Sequence, residues 1–186
     1  MSASSKPRRG LLLGLGNVLC EDDGLGVLAL ERLRVGYHWP EEMRLVDGGT
    51  LGMALLSTLE EAEEVWILDA VRVDAPPGSL VRLDGDEVEP ALRERLSPHQ
   101  IGVADLLDAL HWRDRWPASL RVIGLVPQSL GLHVGLSEPI AAGLGVLEEV
   151  AVAEVRRAGH AVRPRRHDAA RDRLGDDACL SRALGV

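Results

Sequence analysis

Short apolar runs alternate with segments of helical periodicity along most of this 186-residue chain, and no other feature constrains its fold as strongly. The runs at residues 11–16 and 65–68 are too short for buried helices and end in glycine or aspartate, which is typical of buried parallel strands. Between them, apolar residues recur at helical spacing from Leu25 to a stop at Gly36. Strands that alternate with helices indicate an α/β fold with three layers: a mostly parallel, twisted sheet of about five strands with helices on both faces.

The remaining predicted elements continue the alternation. The predicted strands cover residues 11–16, 43–46, 65–68, 79–83 and 120–126, and the predicted helices cover residues 25–36, 51–62, 100–111 and 137–158. This length suits one core, and we assign the single α/β domain to residues 11–162, after an N-terminal tail at residues 1–10. Residues 163–186 are charged and lack periodicity, so we predict a largely disordered C-terminal tail.

Three aspartates stand where predicted strands end. Asp23 follows the first strand and a short loop, whereas Asp47 and Asp69 follow the second and third strands directly. In an open parallel sheet, ligands bind in the crevice beyond the carboxyl ends of the strands. His99, behind Pro98 at the start of a predicted helix, is placed to point into the same crevice. Two carboxylates and an imidazole suit a borderline divalent metal such as nickel or zinc, and three protein ligands leave positions for water or substrate.

Each of these residues also has an ordinary structural interpretation. An aspartate after a strand is more often a helix cap or turn residue than a metal ligand. A single histidine at a helix start is usually structural or solvated, and His38, His160 and His167 fall in loop or tail sequence that carries no functional signal. The joint placement of the acids and His99 at one edge of one sheet is what favours a site.

Several other classes of protein are disfavoured. Leu19 replaces the third glycine of the dinucleotide fingerprint, and the chain has no P-loop, HExxH helix or GxSxG elbow. Cys20 and Cys179 are too few for a disulfide scaffold or a cysteine-built zinc site, so we expect a reduced, cytoplasmic setting, with Cys20 packed as a small apolar residue. The net charge of −8 argues against nucleic-acid binding. No apolar run approaches the ~20 residues that a membrane-spanning helix needs.

Five motifs, in the correct order and spacing, resemble those of the hydrogenase maturation endopeptidases. Together they span most of the chain, from residue 11 to about residue 149. They are the GLGNVL opening at residues 14–19 with Asp22, Asp23 and Gly26, the DGGTLG turn at residues 47–52, the strand-end pair Asp69-Ala70, the SPHQIG segment at residues 97–102, and the last strand with GLVP at residues 124–127. Each motif alone is weak, but the ordered set is specific.

The resemblance implies a nickel-dependent hydrolase of the aspartic type. This family cleaves a short C-terminal extension from the nickel-loaded precursor of a [NiFe]-hydrogenase large subunit, so the nickel arrives in the partner, and another divalent metal could replace it in vitro. The family's metal contacts fall here on Asp23, Asp69 and His99. Many members carry glutamate in place of Asp23; because aspartate is shorter, either the metal approaches more closely or the neighbouring Asp22 or Glu21 substitutes.

The resemblance also leaves Asp47 as a candidate for orienting the substrate or for acid–base catalysis. The candidate catalytic residues are therefore Asp23, Asp47, Asp69 and His99. We expect a monomer whose partner is the large-subunit precursor, without nucleic-acid binding or membrane insertion.

Two other functions stay open at this point. A nickel-binding checkpoint or chaperone that does not cleave its partner would use the same ligands. A peptidyl-tRNA hydrolase also opens with GLGN at a strand end. That family continues with Pro-Gly where this chain has Val18-Leu19, and its Arg-His-Asn segment is absent here.

Overall fold

A computed structural model describes residues 8–94 and 103–165. Its strands are β1 (Gly10–Leu15), β2 (Tyr37–His38), β3 (Met43–Gly49), β4 (Glu64–Ala70), β5 (Leu80–Asp84), β6 (Ser119–Leu125) and β7 (Arg163–Pro164). Its α-helices are α1 (Leu25–Gly36), α2 (Leu56–Glu60), α3 (Val88–Glu94), α4 (Val103–Trp112) and α5 (Glu138–Arg157). Three short 3-10 turns occupy Glu21–Gly24, Gly52–Leu55 and Gly85–Glu87.

The main sheet has five strands in the order β3-β1-β4-β6-β5. The first four run parallel, and β5 pairs antiparallel with β6 at the edge. Every residue of the central strand β4 is buried, as expected for a parallel strand covered on both faces. The predicted mostly parallel sheet of about five strands is confirmed.

Two apolar clusters cover the two faces of this sheet, because successive side chains of a strand point to opposite sides. Leu11, Leu13 and Leu15 of β1 pack into the cluster formed with α2, α3 and α4. Leu12 packs into the other cluster, which contains the apolar stripes of α1 and α5. The predicted three-layer architecture, with helices on both faces, is therefore confirmed.

Glycines let the start of α1 rest directly on the sheet. A Cβ atom on Gly26 would lie 2.0 Å from the carbonyl oxygen of Leu68 and 2.4 Å from that of Leu15. A Cβ atom on Gly14 would lie 2.5 Å from the carbonyl oxygen of Gly26. Only glycine permits such backbone contact. The turn that precedes α1 is thereby held at the carboxyl ends of β1 and β4.

The element boundaries differ from the sequence prediction in a few places. The helix predicted at residues 51–62 is a 3-10 turn followed by the short α2. Strand β3 continues to Gly49, so Asp47 lies within the strand rather than after it. Residues 100–102 of the helix predicted at 100–111 lie outside the described residues, which enter α4 at Val103. No described helix is both long and apolar enough to cross a bilayer.

The described chain also runs slightly past the predicted domain boundary at residue 162. Strand β7 pairs antiparallel with β2, outside the main sheet. Just before it, His160 is buried, and its Nε2 lies 2.9 Å from Oε2 of Glu64, whose Oε1 accepts a hydrogen bond from Arg8. His160 therefore has a structural role that its sequence position did not indicate: it fixes the end of the domain to the amino end of β4. The predicted tail beyond residue 165 lies outside the described residues.

Candidate active site

The loop after β1 folds back on itself and brings an acid to the edge of the sheet. Gly16 adopts φ 119° and donates its N–H to the carbonyl of Gly49 at 3.0 Å. A Cβ atom on Gly16 would lie 1.7 Å from the carbonyl oxygen of Asp23, so this position needs glycine. The N–H of Asn17 donates to Oδ2 of Asp23 at 2.9 Å. The Gly-x-Gly-Asn motif thus fixes the position of Asp23 through the close backbone contact at Gly16 and the hydrogen bond from Asn17.

Asp23 is fully buried, yet only one of its carboxylate oxygens is satisfied. Oδ2 accepts the hydrogen bond from Asn17, whereas Oδ1 has no hydrogen-bond partner within residues 8–94 and 103–165. A buried carboxylate oxygen without a partner is costly because it has lost its hydration. Such an oxygen is well suited to accept a cation that enters from outside.

Asp69 is the penultimate residue of β4 and is also fully buried. Its Oδ1 accepts a hydrogen bond from the N–H of Ala70 at 2.7 Å. The turn Glu21–Gly24, which carries Asp23, contacts β4. The turn that carries Asp23 and the strand that carries Asp69 therefore meet at the carboxyl edge of the sheet, while a site shared by the two carboxylates stays a prediction.

Asp22 is occupied by hydrogen bonds and does not replace Asp23. Oδ2 of Asp22 accepts from the N–H of Gln128 (2.8 Å), the N–H of Ser129 (3.0 Å) and the hydroxyl of Ser137 (2.9 Å). Oδ1 accepts from the N–H of Ser137 at 2.7 Å. Four donors saturate this buried carboxylate, so the suggestion that Asp22 substitutes as the metal ligand is disfavoured. Sequence reasoning missed this function, since the donors lie more than 100 residues away in the chain.

Further contacts join the loop at residues 127–137 to the loop that follows β1. Cys20 and His133 form an isolated parallel bridge, and the N–H of His133 donates to the carbonyl of Leu19 at 3.1 Å. Strand β4 lies between β1 and β6, so a bridge between the loops that follow β1 and β6 crosses the carboxyl end of β4.

Asp47 lies at the periphery of the site. It pairs in register with Gly14 of β1, which in turn pairs with Leu68 of β4. Two inter-strand spacings therefore separate β3 from β4, a distance of about 10 Å. This placement suits a residue that orients the substrate better than a ligand shared with Asp23 and Asp69.

The environment of Asp47 raises the pKa of its carboxyl group. Lost hydration is the main cause, although the residue as a whole is exposed; the hydrogen bond from Gly49 N–H (3.0 Å) and the charge of Arg34 lower the pKa by a smaller amount. A raised pKa means that the folded state binds more protons than the unfolded chain. The contribution of Asp47 to stability therefore falls as the pH rises from its unfolded-state pKa through its folded-state pKa.

We expect Asp47→Asn to slow the precursor cleavage that the family resemblance predicts. The free energy of unfolding at pH 7 should stay unchanged or rise slightly. Asparagine keeps an oxygen for the N–H of Gly49 but removes the poorly hydrated charge. Urea unfolding at pH 7 and pH 4 measures the free energy of unfolding. A cleavage assay on the same protein preparations without urea measures the rate of processing. Full processing activity in this variant would contradict a role for Asp47 in substrate orientation or acid–base chemistry.

His99, the third predicted ligand, lies outside the described residues, as does the rest of the SPHQIG segment. Within the part of the chain that the structure describes, no three His, Cys, Asp or Glu side chains are grouped so that they could hold a metal ion. The described part of the predicted ligand set is thus the acid pair Asp23 and Asp69.

Comparisons with known proteins agree with this architecture. The family model described as HycI, hydrogenase maturation protease, matches residues 27–154. The hydrogenase 2 maturation protease of Escherichia coli strain K12 is 36% identical over 158 residues, which cover 84% of this chain and 96% of that protein. The solved structure of the hydrogenase maturating endopeptidase HybD from E. coli matches with a TM-score of 0.80 at 36% identity, covering 84% of this chain and 98% of the other.

A more distant structure shows the same relationship. The [NiFe] hydrogenase maturation protease HybD from Thermococcus kodakarensis has a TM-score of 0.63 at 32% identity, covering 78% of this chain and 97% of the other. The family match covers well over half of the chain, and the three proteins named above are matched over nearly their whole length. The chain therefore belongs to the hydrogenase maturation protease family.

Proposed function

We propose that this protease removes the C-terminal extension of a [NiFe]-hydrogenase large-subunit precursor after nickel has been inserted. One observation carries the nickel-dependent part of the proposal. Asp23 is fully buried with an unsatisfied Oδ1, and its turn contacts the strand that carries buried Asp69 next to its carboxyl end. The Thermococcus kodakarensis structure that matches at 32% identity is named as a [NiFe] hydrogenase maturation protease. This name supports the choice of partner.

In this proposal, the nickel is part of the substrate and is held by the precursor. Asp23 and Asp69 offer carboxylate oxygens to it, and His99 adds an imidazole, a donor set that suits nickel. Docking of the metal neutralises two acids that the fold keeps away from water. A precursor without nickel would leave Oδ1 of Asp23 without a partner among the described residues, so the site distinguishes loaded from unloaded precursor.

The chemistry is hydrolysis of one peptide bond by one water molecule. Such a reaction needs an activated water and stabilisation of the developing oxyanion. The bound metal supplies Lewis acidity toward the carbonyl or the water. Asp47 lies on β3, two inter-strand spacings from β4. In this proposal it either orients the peptide that extends from the metal or exchanges a proton with the leaving amine.

The expected result is cleavage that depends on nickel. We expect the purified protein to shorten the nickel-loaded precursor at least about 100-fold faster than the nickel-free precursor, since the metal supplies the main electrostatic stabilisation. Intact-mass spectrometry of the precursor over time measures this difference. Restoring nickel to the metal-free precursor serves as the control and should recover cleavage.

Two outcomes would contradict the proposal in different ways. Equal cleavage of loaded and unloaded precursor would show that the protease does not recognise nickel. An unchanged precursor mass together with a stable complex would identify a non-cleaving nickel checkpoint instead of a peptidase.

A further inference from the structure

A groove lies at the edge of the sheet opposite the acid pair. It is lined by the end of β5, the turn after it, α3, and the segment that leads from α4 into β6, and it encloses about 850 Å³. Ser119 in its lining is the first residue of β6, whereas Gly124 of the same strand pairs with Asp69. Five residue steps of extended strand separate these two positions, a distance of about 17 Å. The groove is therefore separate from the candidate active site.

Aromatic and proline rings form much of the wall of this groove. His111 and Trp116 are stacked, with ring centroids 4.2 Å apart and an interplanar angle of 14°. Pro90 and Pro117 add two pyrrolidine rings. Trp116 is held in place because it also packs against the core cluster, and its indole N–H has no acceptor within residues 8–94 and 103–165. The wall thus offers fixed, flat apolar surfaces together with a free hydrogen-bond donor.

Trp112 extends this apolar surface at the end of α4. It follows His111 directly and is 88% exposed, the largest exposed fraction among the large apolar side chains of the described residues. A tight turn follows it, in which Asp114 adopts φ 52° and the N–H of Arg115 donates to the carbonyl of Leu110 at 2.9 Å. Tryptophan is enriched among the residues that dominate binding energy at protein interfaces. We name the combined surface the aromatic groove, defined by Asp84, Asp86, Pro90, His111, Trp112 and Trp116.

Several charged groups of the aromatic groove already have partners within the protein. Arg93 donates to Oε1 of Glu89 at 2.9 Å, and Nε2 of His111 lies 3.1 Å from Oε2 of the same glutamate. The guanidinium carbon of Arg121 lies 5.7 Å from the ring centroid of Trp66, within the range of a cation–π contact. Nη1 of Arg121 has no hydrogen-bond partner among the described residues, but it is shielded from solvent. These groups therefore do not set the charge that a ligand meets.

Two free carboxylates set that charge instead. Asp84 is the last residue of β5, and Asp86 lies in the turn Gly85–Glu87 that follows. Both side chains are exposed, both line the groove, and neither carboxylate has a hydrogen bond or an ion pair among the described residues. Charge complementarity at a binding surface therefore favours a partner that brings Lys or Arg to this end of the groove.

The ring-lined wall narrows the choice of partner further. Segments in the polyproline II conformation bind to aromatic-lined grooves, because this conformation forms before binding and loses little entropy. Such a segment makes no internal backbone hydrogen bonds, so one of its carbonyl groups is free to accept the indole N–H of Trp116. A basic side chain beside the prolines would meet Asp84 and Asp86.

We propose that the aromatic groove binds an extended, proline-containing segment of a partner protein, with a Lys or Arg side chain against Asp84 and Asp86. This binding is a second function at the amino edge of the sheet and does not depend on the proposed cleavage. It leaves the carboxyl edge free, so the partner and the large-subunit precursor can be held at the same time.

The test titrates a labelled synthetic peptide, Arg-Pro-Leu-Pro-Pro-Leu-Pro-Arg, into the full-length protein. Fluorescence anisotropy should show saturable binding by the wild type. Replacing all prolines of the peptide by alanine, or both arginines by glutamate, should raise the Kd about tenfold. Saturable binding that does not depend on the prolines or the arginines would overturn the proposed chemistry of the partner.

Variants of the protein locate the binding surface. Trp112→Ser should raise the Kd for the peptide about tenfold. Asp84→Lys combined with Asp86→Lys should do the same, and more strongly at low salt. Val146→Ser is the matched control for the first variant, since Val146 is 52% exposed on α5.

The charge reversal has its own control. Glu41→Lys combined with Glu149→Lys changes the net charge equally at exposed positions away from the groove, and it should leave the Kd for the peptide unchanged. Urea unfolding of all four variants shows that each is folded during the titration.

Four outcomes would overturn the proposal. The first is a wild type that does not bind the peptide, and the second is a wild-type Kd in both groove variants. The third is an equal loss of affinity in the Glu41 and Glu149 control, which would show attraction to overall charge alone. The fourth is a dimer in analytical ultracentrifugation that Trp112→Ser abolishes, because it would assign the groove to a second copy of this chain.

Discussion

The Asp69→Asn variant is expected to fold normally and to lose cleavage of the nickel-loaded precursor by about 10²–10³-fold, the effect of removing one electrostatic group from a preorganised site. The asparagine side chain would keep an oxygen for the N–H of Ala70, which donates to Asp69 at 2.7 Å. Asparagine has nearly the volume of aspartate, so this fully buried position stays filled and the variant should keep its fold. Precursor cleavage followed by mass spectrometry, together with urea unfolding, measures both effects.

Asp74→Asn is the matched control for this prediction. Asp74 is an exposed aspartate in the segment after β4, so it tests the loss of one negative charge close to the same strand end. It should process the precursor at the wild-type rate. Asp23→Asn and His99→Ala should reproduce the defect of Asp69→Asn if the three residues share one metal. Near wild-type processing by Asp69→Asn would reject the proposed site.

The sequence predicted the layers of this fold well because the apolar pattern reports burial directly. The bounds of α1 follow from its apolar period and the glycine at residue 36, and they match the structure. Strand ends are predicted less well, since backbone pairing decides where a strand stops: β3 continues to pair with β1 through Asp47 and on to Gly49. Helix α3 was not predicted. It contains Pro90, but this proline stands in the first turn, where its missing N–H is not needed.

The candidate site was predictable only in part, for a physical reason that Asp22 and Asp23 illustrate. Both are aspartates in one motif, both are fully buried, and no local pattern distinguishes them. Their roles differ because their hydrogen-bond partners differ, and the sequence does not reveal those partners. The Asp22 carboxylate accepts hydrogen bonds from donors near residue 130, whereas the Asp23 carboxylate accepts one only from the N–H of Asn17 among the described residues. Which acid is saturated and which has an unsatisfied oxygen is therefore a property of tertiary contacts.

Neighbouring aspartates with different contacts should respond differently to substitution. We expect Asp22→Ala to lower the free energy of unfolding by roughly 3–5 kcal/mol. The two donors of Ser137 are buried and would each cost about 1–3 kcal/mol without an acceptor, and the two part-buried donors would add less. The donors concerned are the N–H groups of Gln128, Ser129 and Ser137 and the Ser137 hydroxyl. Ser137→Ala removes only the last of these bonds and should cost about 1 kcal/mol. Urea unfolding of the two variants measures the difference.

The contrast with Asp23 makes the prediction specific to Asp22. Asp23→Asn keeps an acceptor for the N–H of Asn17 and changes an oxygen that has no protein donor in the described part of the chain, so its stability should stay close to that of the wild type while cleavage is lost. Asp22→Ala should instead release the loop at residues 127–137, which hydrogen exchange at Ser129 and Ser137 would detect as lost protection. Wild-type stability and unchanged exchange in Asp22→Ala would show that the loop is held by other contacts. Suppose that Asp22→Ala loses stability while Asp23→Asn keeps its stability but loses cleavage. The first aspartate then fixes the loop, and the second acts on the substrate.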